Sequence, residues 1–490
     1  MSKLNLGKGA YTVSLLYATT AIALHAQTYT LLHSFGGGAG GANPYAALVQ
    51  GTDGNLYGTT VGGGVDNAGT IFKITPGGTF TTLHRFCSQS GCGTSPTGLV
   101  QAPNGDFYGT TQSGGIYGSG TVFKVTPGGT LTTLYSFCSQ SGCPDGSLPF
   151  AGLVQATNGD FYGTTYYGGA NCAPLGCGTV FKITPSGTLT TLYSFCSQIG
   201  CTDGAYTFAG LVQAANGDLY GTTSLGGVGG GTIFKITPTG TLTTLHSLGS
   251  QSGDGVYPAA GLVQGANGDL YGTTDVGGPG GGTIFKITPA GTLTTIYGFC
   301  SQSGCADGAG PAAGLVPAAN GDIFGSTAGG GANSSCNGGG GCGTVFKITP
   351  DGTLTTLYNF CSQSGCADGV GPAMLVQATN GALYGTTENG GASTCTGSPG
   401  CGTIFRLSVG LGPFVETQPA SGKVGAAVEI LGTNLTGAAS VTFNGTAAVF
   451  TVVSSSLITT TVPAGATTGR VQVVTPSRTL SSNVLFRVRP

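Results

Sequence analysis

Tryptophan is missing from this 490-residue chain, methionine occurs twice, histidine four times, and charged residues make up only 7%. Soluble globular domains ordinarily carry about 25% charged residues, so this surface must be built largely from uncharged groups. The net charge of −2 leaves no basic footprint for nucleic acid or an anionic membrane surface. The common hydrolase patterns are missing too: there is no nucleophile elbow, no Ser-His-Asp order and no zinc signature. After residue 26, no run is apolar for long enough to cross a bilayer as a helix.

What is present begins with a distinct N-terminus. Lys3 and Lys8 precede a mostly apolar, uncharged stretch over residues 10–24, and small residues follow. That layout predicts a signal peptide over residues 1–26, cleaved after Ala23 or Ala26. The mature chain is expected to be secreted or held at the cell surface. Glycine (96 residues) and proline (23) are abundant, which without a period would suggest disorder. A period is present, so the glycines are read as turns.

Leu48, Leu99, Leu153, Leu211, Leu262, Leu315 and Leu375 mark seven copies of one unit, spaced 51 to 60 residues apart. Each copy runs Leu-Val-Gln, a turn usually reading Asn-Gly-Asp, then Tyr-Gly-Thr-Thr and a Gly-rich loop. Gly-Thr-Ile-Phe-Lys-Ile-Thr-Pro, a glycine turn and Thr-Leu-Thr-Thr-Leu-Tyr-Ser-Phe complete it. Four β-rich runs between Gly, Pro and Asn turns, repeated at this period, are the pattern of propeller blades. The seventh copy stops after Leu407 without its fourth strand, while residues 29–35 are a fourth strand with nothing before it. The expectation is an all-β fold with a seven-bladed β-propeller over residues 27–410, closed by the N-terminal strand so that no sheet edge stays open.

The repeated Asn-Gly-Asp-Leu-Tyr-Gly-Thr-Thr (as at 216–223) and Gly-Thr-Ile-Phe-Lys-Ile-Thr-Pro (as at 231–238) resemble the tandem-repeat family called GloVer. The resemblance covers residues 29 to about 409 and implies an exported bacterial protein of the choice-of-anchor kind, without implying an activity. Residues 411–490 differ in kind: Val428-Glu-Ile430, Val441-Thr-Phe443 and Val471-Gln-Val473 alternate between Gly and Pro turns, as in a small β-sandwich. This tail resembles the IPT/TIG domain, which implies an immunoglobulin-like β-sandwich common in surface proteins.

All 16 cysteines fall in close pairs. Five pairs follow a fourth strand: Cys87/Cys92, Cys138/Cys143, Cys196/Cys201, Cys300/Cys305 and Cys361/Cys366. Three sit between second and third strands: Cys172/Cys177, Cys336/Cys342 and Cys395/Cys401. Copy four reads Leu248-Gly-Ser-Gln-Ser-Gly-Asp254, with both cysteines gone together. Paired presence and paired absence predict that each pair is a disulfide bonded within its own loop. A loop so short gains about 2 kcal/mol in the chain-entropy model. Zinc is the rival reading, and only copies three and six hold two complete pairs. In an antiparallel blade the loops after strands two and four share one face. The stapled, length-variable loops therefore gather on one side of a rigid scaffold, where binding usually resides.

His33, His84 and His246 occupy the fourth-strand slot held elsewhere by Tyr135, Tyr193, Tyr297 and Tyr358, and read as packing residues. Lysines in strand three and turn aspartates such as Asp106 and Asp160 read as fold-supporting pairs. Asp145, Asp203, Asp254, Asp307 and Asp368 precede Gly in the loop leading to the next copy. They are turn formers first, and weak calcium candidates if they gather at a channel mouth. No other cofactor is expected.

The position after Tyr-Gly-Thr-Thr differs in every copy, including Tyr166, Asp275 and Glu388. Tyr45, Phe150 and Phe208 share an offset before strand one, with Tyr257 nearby. Rings interleaved with carboxylates suit a sugar surface, since rings stack on pyranose faces while carboxylates accept hydroxyl hydrogen bonds. These six residues are the ligand-binding candidates; no catalytic residue is assigned. The expected function is a monomeric, exported binding protein for an extracellular glycan or surface protein. The alternatives are a polysaccharide-active lyase or hydrolase on the same face, and a structural surface protein without a small ligand.

Overall fold

The computed structural model describes residues 27–489, apart from 173, 312, 319, 334, 335, 337–339, 393, 394 and 396–399. The expected signal peptide, residues 1–26 with its cleavage candidates Ala23 and Ala26, lies outside the described residues. Among the described residues the chain is all-β, and its helical pieces are short 3-10 turns such as Ile199–Cys201.

Each of copies one to six forms its own four-stranded antiparallel sheet, with strands in sequence order, and the seventh contributes three strands. Copy three is typical, with strands Val154–Gln155, Phe161–Thr165, Thr179–Ile183 and Leu189–Ser194. Every residue of its second strand is buried, while the fourth strand is half-exposed. A strand buried on both faces cannot alternate apolar with polar, which explains the mix of small and aromatic residues in Tyr-Gly-Thr-Thr. Gly163 pairs with Phe181 on the third strand, and a Cβ there would stand 2.5 Å from the Phe181 ring. Glycine is required because the ring lies across it.

The two threonines that flank the variable loop form a fixed clasp beneath it. Thr223 Oγ1 lies 2.8 Å from Thr232 Oγ1, nine residues on, and Thr327 Oγ1 lies 2.9 Å from Thr344 Oγ1, seventeen residues on. All four side chains are fully buried. Loop length changes while the base of the loop does not, so insertions are absorbed above an invariant hydrogen-bonded floor.

Neighbouring sheets are joined by the glutamine of Leu-Val-Gln. Gln101, Gln213 and Gln264 each accept, through Oε1, a backbone N–H in the turn of the preceding copy, at Thr52, Thr157 and Ala215 (2.9, 2.9 and 3.0 Å). Gln50 of the first copy makes the same bond to Thr379 of the seventh, at 2.8 Å. Phe35, Leu48 and Phe72 share one apolar core with Tyr384 and Ile404 of the seventh copy. The strand Thr28–Ser34 pairs antiparallel with Thr403–Ser408 and supplies the fourth strand of that last sheet.

The tail folds separately as two four-stranded sheets facing one another. One contains Ala427–Leu431 and Leu457–Thr461, the other Ser440–Phe443 and Val471–Val474. Alternating burial along Val471–Val474 turns Val471 and Val473 inward, onto a core with Ile430, Ile458 and Phe443. The tail touches the repeats through Ser456 Oγ, which donates to Thr52 O (2.8 Å), and through Thr433 Oγ1, 3.0 Å from Thr379 Oγ1. Thr52 and Thr379 lie in turns between first and second strands, so the tail occupies the turn end of the sheets. The stapled loops at the other end remain uncovered by it.

Candidate functional site

All sixteen cysteines are joined in eight disulfides, and each bond closes its own loop, with Cα–Cα distances of 4.0 to 5.6 Å. After fourth strands the bonds are Cys87–Cys92, Cys138–Cys143, Cys196–Cys201, Cys300–Cys305 and Cys361–Cys366. Between second and third strands they are Cys172–Cys177, Cys336–Cys342 and Cys395–Cys401. The zinc alternative is corrected by this pairing, because a bonded sulfur offers no thiolate to a metal. In copy three the sulfurs of Cys172, Cys177, Cys196 and Cys201 do lie within 4.8 Å of one another, and in copy six Cys336 approaches Cys366 to 4.0 Å. Elsewhere even the geometry is missing. Among the described residues, Cys92, Cys143 and Cys401 belong to no group of three potential ligands, so each has its bonded partner and no metal-like surroundings. Cys401 is moreover fully buried, in the apolar core that the first and seventh copies share, and acts there as packing rather than as part of an open loop face.

The loop after the fourth strand is built around one buried carboxylate. Asp307 Oδ2 accepts hydrogen bonds from Tyr297 Oη (2.9 Å), Ser301 N (3.0 Å) and Ser301 Oγ (2.8 Å). Asp145, Asp203 and Asp368 do the same in copies two, three and six, with Tyr135, Tyr193 and Tyr358 as partners. In copy four, where the disulfide is missing, His246 Nε2 lies 2.9 Å from Asp254 Oδ2. These tyrosines are shifted upward by burial, Tyr358 to about 12, so they stay protonated and donate. Burial alone would raise the Asp307 carboxyl, but the bonds from Ser301 and Tyr297 outweigh it and hold it below the usual range.

The calcium expectation for Asp145, Asp203, Asp254, Asp307 and Asp368 supposed that they gather, and in the structure each lies in its own loop. Each carboxylate accepts through Oδ2 from donors of its own loop, Asp145 Oδ1 is buried without a hydrogen-bond partner, and among the described residues no three of the five come within 4.8 Å of one another. Their work is local. The chain leaves each aspartate through Gly and turns into a three-residue segment that opens the next copy: Leu148-Pro149-Phe150, Tyr206-Thr207-Phe208 and Tyr257-Pro258-Ala259 are examples.

That segment and the position after Tyr-Gly-Thr-Thr lie side by side. Tyr166 N donates to Leu148 O (3.0 Å), Ser224 N to Tyr206 O (2.8 Å) and Asp275 N to Tyr257 O (3.1 Å). The two most variable positions of the repeat are thus presented together at the inner edge of the loop end.

Four of the six binding candidates converge here. Phe150 packs against Tyr166 (ring centroids 5.3 Å apart) and Phe208 (5.4 Å), and Tyr166 against Phe208 (4.5 Å). Tyr166, Phe208 and Asp275 line one cavity of 270 Å³ together with Ser224, Leu225 and Tyr257. That volume falls just below the range of about 300–1,000 Å³ usual for small-ligand sites. The remaining two candidates, Tyr45 and Glu388, lie outside this cavity; the Tyr45 phenol is pushed up by burial and then by the charges of Glu388 and Asp275. Tyr45 is half-exposed, and Asp275 and Glu388 are exposed.

Two aromatics escaped the sequence reading or were only brushed by it. Tyr206 joins the cluster, 5.1 Å from Tyr166, and Tyr257 forms a cavity wall. Both hold left-handed backbone, at φ 61° and 59°, where copies six and seven use Gly310 and Gly371 at φ 63°. The matching positions of the first three copies are Asn43, Ser95 and Leu148, also at positive φ, so the signal available was the aromatic ring itself at a strained position. The histidines are elsewhere. His33 stacks on Phe80 at 3.9 Å, and burial lowers both His33 and His84.

No curated protein matches the chain. Among solved structures it resembles a PQQ-bound aldose sugar dehydrogenase from Streptomyces coelicolor (15% identity, 78% of this chain and 98% of that one, TM-score 0.39). It also resembles a protein described as a gluconolactonase (12% identity, 79% and 94%, TM-score 0.41). A third is the extracellular domain of a B. thetaiotaomicron protein described as a one-component system (11% identity, 95% and 59%, TM-score 0.47). Likeness at this level does not speak to activity. The sequence itself is more telling: residues 6–228 and 175–396 match the Gloeobacter/Verrucomicrobia repeat, and residues 415–488 match the IPT/TIG domain. The chain belongs to the Gloeobacter/Verrucomicrobia repeat family and ends in an IPT/TIG domain.

Proposed function

We propose that the chain is an exported glycan-binding protein whose repeats, residues 27–410, close into a seven-bladed β-propeller, and whose IPT/TIG domain, residues 411–490, serves as spacer or second binding unit. The ring reading draws on Gln50, which treats the seventh copy as its predecessor just as other glutamines treat theirs. Eight disulfides fit an oxidising compartment outside the cytoplasm. No helix among the described residues is long and apolar enough to cross a membrane.

The observation that carries the binding reading is the joining of Phe150, Tyr166 and Phe208 into one partly exposed aromatic wall beside Asp275. Rings from two neighbouring copies gather at the loop end, held by backbone that the disulfide and aspartate loops fix. A pyranose presents an apolar face to such rings and hydroxyls to such carboxylates.

The test is a panel of polysaccharides and cell-wall fractions offered to the oxidised mature protein, recording both retention and released product. Retention without product is expected, with affinity falling about tenfold in Tyr166→Ala, the scale of one aromatic contact. Release of product would replace binding with catalysis, and failure of every glycan to be retained would leave a structural role.

A further inference from the structure

The charges around the aromatic wall narrow the ligand class. Asp275 and Glu388 are exposed carboxylates, and neither has an ion-pair partner among the described residues. Asp275 lines the cavity with Tyr166, Phe208 and Tyr257, and Glu388, which holds the matching position of the seventh copy, accepts through its backbone O from Asn43 Nδ2 (3.0 Å), two residues before Tyr45. Cations are held away from both carboxylates. Lys124, Lys182, Lys235, Lys286 and Lys347 pair with turn aspartates at the opposite end of the sheets, at 3.5 to 3.9 Å. Arg85 lies on an outer strand, its Nε donating to Ala39 O.

We infer that the glycan taken here carries free amino groups, as in a partly or fully N-deacetylated hexosamine polymer; the inference rests on the glycan-binding reading above. An ammonium group gains twice at this rim. It meets carboxylates with no competing cation, and it lies beside the electron-rich faces of Tyr166, Phe208 and Tyr257. A uronate or sulfated sugar would bring a like charge to Asp275 and Glu388, an arrangement that selects against it. A neutral N-acetylated sugar keeps the ring stacking and loses the charge pairing. The rim is therefore built to rank cationic above neutral above anionic glycans.

The experiment is titration calorimetry of the full oxidised chain with three oligosaccharides of equal length: glucosamine, N-acetylglucosamine and galacturonate oligomers. The glucosamine oligomer is expected to bind about tenfold tighter than its acetylated form, the size of a favourable cation–aromatic and carboxylate contact together. That preference should fade with added salt and as rising pH deprotonates the amine. Asp275→Asn with Glu388→Gln should erase the preference by weakening the glucosamine oligomer far more than the acetylated one, whereas Tyr166→Ala should weaken both alike. Equal or tighter binding of the acetylated oligomer would overturn the amine inference and leave the glycan reading standing. Tightest binding of galacturonate would overturn the charge argument outright. Binding of none of the three would also overturn the inference, and the fate of the wider glycan reading would then follow from the polysaccharide panel.

Discussion

The loop that follows the fourth strand is braced twice in copy five and once in copy four. In copy five, Asp307 gathers Tyr297 and Ser301 while the Cys300–Cys305 disulfide closes the same turn. In copy four, Asp254 gathers His246 and Gln251 N with no disulfide at all. Yet both loops deliver the chain to the same place: Asp275 N reaches Tyr257 O just as Ala328 N reaches Gly310 O. The buried carboxylate sets the shape, and the covalent bond reinforces it.

The comparison breaks most severely when the carboxylate goes. Asp307→Ala leaves a buried phenol, a serine hydroxyl and a backbone N–H without their acceptor, and should cost about 3 kcal/mol on the scale of hydrogen bonds to charged groups. The denaturation midpoint should drop accordingly. The gap between wild type and variant should be full at neutral pH. Because hydrogen bonds hold the folded carboxyl below its usual range, the contribution persists above the unfolded value and is lost as pH falls through the folded one. Next in size is the double variant Cys300→Ser and Cys305→Ser, which should lose about 2 kcal/mol of loop-closure stabilisation. Its ligand affinity should stay unchanged, since copy four already presents its segment without a staple. Loss of affinity there would mean the disulfide shapes the loop after all. The mildest change is His246→Tyr, which restores the donor used by the sister copies. It should shift stability by less than about 1 kcal/mol, the net scale of one exchanged hydrogen bond, read again as a denaturation midpoint.

Much of this was legible because the chain compares itself with itself. Seven copies of Leu-Val-Gln and Tyr-Gly-Thr-Thr announced a sheet apiece, and the orphan strand at residues 29–35 pointed to its partner in the incomplete last copy. Paired loss of cysteines pointed to the disulfides in the same way. The six candidate residues were found by comparing copies of the repeat, and the structure groups four of them, Phe150, Tyr166, Phe208 and Asp275. Direction was harder to read. Asp-Gly announces a turn, but nothing in the string says whether the carboxylate of Asp145 points out to a channel or back into its own loop. Nor did sequence locate the tail against the turns of copies one and seven. There the Asn-Gly-Asp motif gives way to Asp53-Gly-Asn and Asn380-Gly-Ala, a departure whose meaning became visible only with Ser456 and Thr433 resting beside it.

The pairing of Thr28–Ser34 with Thr403–Ser408 joins the first strand of the chain to one made nearly last. Until that partner exists, the early strand has nowhere in its own molecule to go, and the late sheet has an open edge. Any identical strand satisfies that edge equally well, including one from a second copy. Two chains that trade first strands would form a reciprocal, domain-swapped dimer using only contacts already present in the monomer. The fastening that closes one molecule is thus also the place where two could be stitched together.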